Sequence, residues 1–311
     1  MEHRPIDRRA LPTDAVFSTW KAPDGWPCRR LDWRQREGAP VRGSLLFAGG
    51  RGDFIEKYVE AYAWWHERGW NVTAFDWRSQ GGSRGDIRGG HLEDFDPLVA
   101  DMAALIGDWA RETPGPHVAV AHSMGGHLLM RTLAERKPAL DAAVLVAPML
   151  MINSASLPSH AASGMASFLS LFGWARQPAW PQPDTPAPRG STRQRILTGC
   201  PDRYEDELWW WEKKPGFNLG VPTWGWLKAA YRSCDTLTDE KLRRMETPIL
   251  LIGTDKDRLV SPDAIRRAAS VLPKAELLMF DEAAHEILRE ADDVRLTALR
   301  AIDDFLARHA A

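Results

Sequence analysis

The sequence predicts an α/β protein built on a mostly parallel sheet, with a long segment of different composition inserted between two of its strands. Three observations carry this. Short runs of β-forming apolar residues alternate with stretches of helical periodicity from Ser44 to Pro148, and again from Pro248 to the end. Strands of about five residues separated by helices imply right-handed crossovers and a sheet covered on both faces. From Met149 to about Leu242 the β-rich runs stop, and Pro, Ser and Trp accumulate instead.

Ser44-Leu-Leu-Phe-Ala48 reads as a buried strand ending in Gly49-Gly50. A helix is predicted over residues 54–68, where Ile55, Tyr58, Val59, Tyr62 and Trp65 recur at helical spacing. Gly69 ends it, a residue that tolerates the left-handed conformation after a helix. Strands follow at 72–75, 117–121 and 142–146, with helices at 95–111 and 125–136. Further on, strands at 249–252 and 276–280 flank a helix at 262–271, and a helix over 293–308 closes the chain. The core is expected in residues 1–148 and 243–311, and an inserted cap in 149–242. Five prolines fall in the eleven residues Pro178-Ala-Trp-Pro-Gln-Pro-Asp-Thr-Pro-Ala-Pro188, so coil and short helices are expected in the cap. Seven of the 15 Trp lie there: Trp174, Trp180, Trp209, Trp210, Trp211, Trp224 and Trp226. Such rings either pack the insertion onto the core or line an apolar substrate entrance, and both uses stay open.

Charge and composition exclude several classes. Forty Lys and Arg against 42 Asp and Glu leave a net charge of −2, unlike the strongly basic domain of a dedicated nucleic-acid binder. An apolar fraction of 44% suffices for a sizeable core. Cys28, Cys200 and Cys234 are too few and too scattered for a disulfide framework or a Cys-x-x-Cys metal site. Arg4, Asp7, Arg8, Arg9 and Asp14 interrupt the first 20 residues, so no secretory leader is expected. The longest apolar run, 142–152, is about half a membrane span and is broken by Pro148. A soluble, cytoplasmic globular protein is the expectation.

The chemistry concentrates in three loops. Ala121-His-Ser-Met-Gly-Gly126 sits where a strand ends and a helix begins, and it fits a Gly-x-Ser-x-Gly elbow with Ala in the first position. The serine of such an elbow occupies a sharp turn, so the residues two away must be small. Ala121, Gly125 and Gly126 meet that need. Ser123 would then stand at the positive end of the following helix, with the Met124 N–H free to stabilise an oxyanion. A plain helix-capping serine is the bland alternative, and the strand–turn–helix context weighs against it.

An acid and a histidine should follow in that order. After the strand at 249–252 come Asp255 and Asp257. Asp257, 134 residues beyond Ser123 and directly before Arg-Leu-Val, is the first choice, with Asp255 the alternative. His285, 28 residues beyond Asp257, follows the last strand, where a mobile imidazole can reach Ser123. His122 and His127 are nearer in sequence but point wrongly, and read as structural. The second oxyanion donor is expected from Gly49-Gly50-Arg51-Gly52, with the Arg51 N–H preferred over Gly50. No Gly-Lys-Ser/Thr follows these glycines, so a phosphate loop is excluded.

These segments together resemble the α/β-hydrolases of the monoacylglycerol lipase and bacterial lysophospholipase group, the serine aminopeptidase-like hydrolases. The resemblance rests on Gly50-Arg-Gly-Asp-Phe-Ile-Glu-Lys-Tyr58, Asp76-Trp-Arg-Ser-Gln-Gly81, Gly90-His-Leu-Glu-Asp-Phe95, the elbow, Asp257-Arg-Leu-Val260, His285-Glu-Ile-Leu-Arg-Glu290, and Gly220-Val-Pro-Thr-Trp-Gly-Trp-Leu227 in the insertion. It covers about Leu45 to the C-terminus. It implies an eight-stranded, mostly parallel sheet with a cap after the strand at 142–146. It also implies Ser123, Asp257 and His285 as a triad, and the Arg51 and Met124 amides as the oxyanion hole. Gly49-Gly50 stands where the lipases carry His-Gly.

The function expected is hydrolysis of a carboxylic ester, a lysophospholipid or monoacylglycerol, through an acyl-enzyme and with no metal or organic cofactor. Trp224 and Trp226 are the candidates for lining the acyl pocket. The expected partner is a small lipid ester, with transient contact of the cap with a membrane surface and none with nucleic acid. A small-substrate carboxylesterase, a peptidase or amidase, and a non-catalytic ligand-binding homologue are the alternatives.

Overall fold

The computed structural model describes residues 6–85, 87–154, 157–183 and 185–310. Arg4, among the charges that interrupt the N-terminal segment, and Asp184 of the proline-rich stretch lie outside these. Eight strands form one sheet: β1 (Val16–Lys21), β2 (Pro27–Trp33), β3 (Gly43–Ala48), β4 (Trp70–Phe75), β5 (His117–His122), β6 (Ala142–Val146), β7 (Ile249–Thr254) and β8 (Ala275–Phe280). Their order is β1-β2-β4-β3-β5-β6-β7-β8. β2 runs antiparallel to both β1 and β4, and every other pairing is parallel. β3, β4, β6 and β7 are buried along their whole length, which is why their sequences are continuous apolar runs.

β1 and β2 lie outside the pattern that the sequence analysis uses. They form an edge ribbon: β1 is exposed except at Trp20, and β2 carries Arg29, Arg30 and Asp32. A strand wet on one side needs no Val/Ile run. Their signal is the turn between them, Ala22-Pro-Asp-Gly25, in which Gly25 takes φ +89° and its N–H donates to the Ala22 carbonyl.

The helices are α1 (Val59–His66), α2 (Asp96–Glu112), α3 (Ser123–Arg136), α4 (Ser159–Leu169), α5 (Thr192–Leu197), α6 (Pro201–Lys213), α7 (Trp224–Asp235), α8 (Asp239–Arg243), α9 (Pro262–Val271) and α10 (Asp292–His309). The stretch predicted as one helix over 54–68 divides into a 3-10 turn, Ile55–Tyr58, and α1. Gly69 follows with φ +88°. Among the described residues, five helices, α4 to α8, and no strand of the sheet lie between β6 and β7. Among the described residues, no helix is long and apolar enough to cross a membrane.

This topology fixes where chemistry can occur. β3 has β4 on one side and β5 on the other, so the chain's crossovers diverge there. Loops leaving the carboxyl ends of β3 and β5 therefore face each other across a crevice, the usual ligand position in open parallel sheets.

Candidate active site

The turn after β5 is built to present one side chain. Ser123 has φ +51°, a left-handed conformation that is costly for a residue with a Cβ and lifts its hydroxyl out of the strand-to-helix path. The helix that follows must press against β3: a Cβ on Gly125 would lie 2.4 Å from the Gly49 carbonyl oxygen and 2.5 Å from that of Ala48. A Cβ on Gly126 would lie 2.9 Å from Pro148. The glycines are thus demanded by neighbouring backbone as much as by the turn.

His285 comes from the loop after β8. Its Nε2 lies 2.9 Å from Ser123 Oγ, and its Nδ1 lies 2.7 Å from Asp257 Oδ2. The other Asp257 oxygen accepts from the Leu259 and Val260 amides at 2.8 and 2.9 Å, so the carboxylate cannot rotate freely. Burial opposes its charge, but His285 and these two amides outweigh burial and hold the carboxyl below its ordinary value. Burial likewise works against protonation of His285, yet Asp257, helped by Glu286 and Asp53, raises the imidazole above its ordinary value. Asp255 stands apart: it is exposed and pairs with Arg266 at 2.6 Å.

The histidine loop is held rather than mobile. The His285 and Glu286 amides donate to the Ile196 and Leu197 carbonyls of α5, at 3.3 and 2.7 Å. Glu290 accepts from the Ala284 amide at 2.7 Å and from the Gly199 amide at 2.8 Å. The inserted segment thus clamps the loop from above, in place of the freedom expected of it.

Opposite Ser123, the loop after β3 is fixed at three points. The Trp77 indole donates to the Gly49 carbonyl at 2.8 Å, the Gly50 N–H donates to Asp53 Oδ2 at 2.6 Å, and the Gly52 N–H donates to Gln80 Oε1 at 2.6 Å. Gly50 also packs so close that a Cβ there would lie 2.9 Å from Ser123 Cβ. Its amide is consumed by Asp53. The Arg51 and Met124 amides donate to no acceptor among the described residues, which leaves both able to receive an oxyanion.

Beneath the site lies a buried polar network that sequence reasoning missed. His122 Nδ1 is 2.9 Å from both Asp53 Oδ2 and the Tyr58 hydroxyl. Lys57 Nζ reaches Asp53 at 2.8 Å, Glu286 at 2.6 Å and Glu207 of α6 at 3.6 Å. Arg289 pairs with Glu286 and, at 3.5 Å, with Glu207. Burial disfavours the charge on Glu207, but Arg193, Lys57 and Arg289 hold its carboxyl down to about 2. Only the closeness of Asp53, Lys57 and Tyr58 hints at this in the sequence; His122, Glu207, Glu286 and Arg289 come from distant elements. His127 belongs elsewhere, 2.5 Å from the Ser233 hydroxyl, and burial followed by Arg131 lowers its imidazole to about 3.

A cavity of about 510 Å³ opens beside these loops. Arg51, Leu259 and Glu286 line it from the core, and Trp180, Ile196, Leu197, Trp211 and several prolines from the insertion. Trp224 and Trp226 do not line it. Trp226 is buried instead, 5.6 Å from the Phe95 ring and 5.2 Å below the Arg51 guanidinium, and Trp224 opens α7. Trp226 packs α7 onto the core, whereas Trp180 lies in the proline-rich coil and Trp211 on α6. Among the described residues, no group of three or more His, Cys, Asp or Glu could hold a metal ion.

The family model for serine aminopeptidase, S33, matches residues 39–292, from before β3 to the start of α10. The chain belongs to that family. Lysophospholipase L2 of Escherichia coli K12 is 29% identical over 323 residues, covering 89% of each chain. The probable lysophospholipase L2 of Haemophilus influenzae is 28% identical, over 86% of this chain and 84% of the relative. Among solved structures, the soluble variant of Saccharomyces cerevisiae monoglyceride lipase covers 97% of both chains with a TM-score of 0.72 at 16% identity. The Bacillus coagulans carboxyl esterase covers 96% of this chain and 99% of its own, with a TM-score of 0.70 at 16% identity. The fold of this S33 hydrolase is accordingly the α/β-hydrolase fold, with eight strands and a mostly parallel sheet.

Proposed function

We propose that the protein is a serine esterase that removes the single acyl chain of a monoacyl lipid, a lysophospholipid or a monoacylglycerol. The observation that carries this reading is the hydrogen-bonded chain from Ser123 through His285 to Asp257, set beside a cavity lined largely by apolar residues. His285 takes the Ser123 proton as Oγ attacks the ester carbonyl, and the Arg51 and Met124 amides receive the oxyanion. The imidazolium then protonates the leaving alcohol. Water activated by the same ring cleaves the acyl-enzyme and restores Ser123, while Asp257 keeps Nδ1–H oriented throughout. The relatives named lysophospholipase L2 support the substrate class.

In this reading residues 149–242 act as a cap. Its outer surface carries Leu157, Met165, Phe168, Leu171, Phe172 and Trp174, with Leu171 80% and Phe172 65% exposed. An apolar ridge of this size suits transient contact with a lipid surface, from which a monoacyl lipid would be drawn. The three free cysteines suit a reducing, cytoplasmic compartment.

A series of p-nitrophenyl esters of increasing acyl length tests the reading. Each buried methylene contributes ~0.8 kcal/mol, so kcat/KM rises from acetate to octanoate, and Trp211→Ala flattens that rise. A flat profile in the wild-type enzyme contradicts a lipid substrate and favours a small ester or an amide.

A further inference from the structure

Two guanidinium groups on the wall of the 510 Å³ cavity are left incompletely bonded. Arg51 donates to the Gly220 carbonyl at 3.0 Å and the Gly89 carbonyl at 2.8 Å, and lies 5.2 Å over the Trp226 ring. Its Nε is buried and has no partner among the described residues, and no carboxylate there pairs with it. Arg193 of α5 donates to Glu207 at 2.8 Å and lies over Trp211 at 4.6 Å and Tyr204 at 5.3 Å. Its Nη1 is likewise buried without a partner.

The ionic groups that line the cavity, with those that pair directly to them, do not balance. The cations are Arg51, Lys57, Arg193 and Arg289; the carboxylates are Asp53, Glu207 and Glu286. With the histidines neutral, four positive charges face three negative ones. A desolvated charge without a counter-ion is expensive, and a buried N–H without an acceptor adds roughly 1–3 kcal/mol. Burial alone draws the Arg51 guanidinium down to about 9, with no anion nearby to oppose it.

We propose that Arg51, together with Arg193, binds a phosphate group carried on the glycerol side of the substrate ester, so that the enzyme selects phosphate-bearing monoacyl lipids over neutral ones. The inference rests on the monoacyl-lipid reading above and deepens it. The geometry is economical: the residue whose amide receives the carbonyl oxygen also carries the guanidinium. Phosphate oxygens match the guanidinium fork, and one anion supplies both the missing charge and the missing acceptors.

The test compares monooctanoylglycerol with monooctanoyl-glycerophosphoglycerol, which differ only in the phosphodiester head group. The wild-type enzyme favours the phosphodiester in kcat/KM. Arg193→Gln, and Arg51→Gln where it folds, reduce that preference roughly tenfold or more, the size of a lost charge-assisted hydrogen bond. Equal turnover of the two substrates by the wild type, or a preference that survives in folded Arg193→Gln, overturns the phosphate site while leaving the esterase reading intact. Cleavage of p-nitrophenyl acetate with neither octanoyl lipid turned over overturns the substrate reading itself, and the site with it.

Discussion

Asp255 and Asp257 are two residues apart on one loop, and the structure gives them opposite surroundings. Asp257 is buried, held by two amides and bonded to His285; Asp255 is exposed and bonded to Arg266. Asp257→Asn therefore lowers kcat by roughly 10³–10⁴, because the amide favours the wrong imidazole tautomer, whereas Asp255→Asn has little effect. The pH profile gives a second readout. Catalysis needs neutral His285, so an imidazole raised by Asp257 moves the acid limb of kcat/KM to higher pH. Removing the carboxylate moves that limb to lower pH in the residual activity of Asp257→Asn. An unmoved limb would place the controlling group elsewhere. The residues of this chain were legible because each follows a strand in the order an elbow hydrolase requires. The choice between the two acids was legible only by register, two residues apart. The Asp53–Lys57–His122 network was not legible, because its bonds join residues up to 229 apart whose types are common in ordinary surfaces.

Among elements, the parallel strands announce themselves through apolar runs, continuous where both faces are buried, and all six from β3 to β8 lie at the expected positions, with small shifts at the ends. The edge ribbon β1–β2 does not, since solvent on one side admits charges and a strand pattern becomes indistinct. The insertion was legible as a change of composition, but not which of its indoles face the cavity, because aromatic residues serve packing and binding alike. The turn after α4 makes an element-level prediction. Phe168 and Phe172, four residues apart at the end of α4, bring their tilted rings to 4.5 Å on an exposed ridge just before Gly173, with φ +90°, turns the chain. Leu171→Asp with Phe172→Asp lowers turnover of a monoacyl lipid in vesicles severalfold more than turnover of a soluble butyrate ester. Equal losses on both substrates would show that the ridge serves the fold of the cap and not a lipid surface.

At the scale of the whole molecule, one arrangement connects all the parts. The divergence of crossovers at β3 puts the Arg51 loop opposite the Ser123 turn. The insertion closes over both and fastens to the core through ion pairs that cross the junction: Lys57 and Arg289 with Glu207, and Glu60 with Arg203 at 2.7 Å. Breaking one side of such a buried pair typically costs 3–5 kcal/mol, so the inserted segment is part of the same cooperative structure as the sheet. The strained φ of Ser123 is tolerated only inside that frame. The central claim is that this frame activates Ser123 as a nucleophile, and covalent labelling reads it directly. A fluorophosphonate probe labels the wild-type protein at Ser123, identified by mass spectrometry of the modified peptide. Ser123→Ala, folded by circular dichroism, takes up no label. Undiminished labelling of that variant, or modification of a different serine in the wild type, would contradict the account.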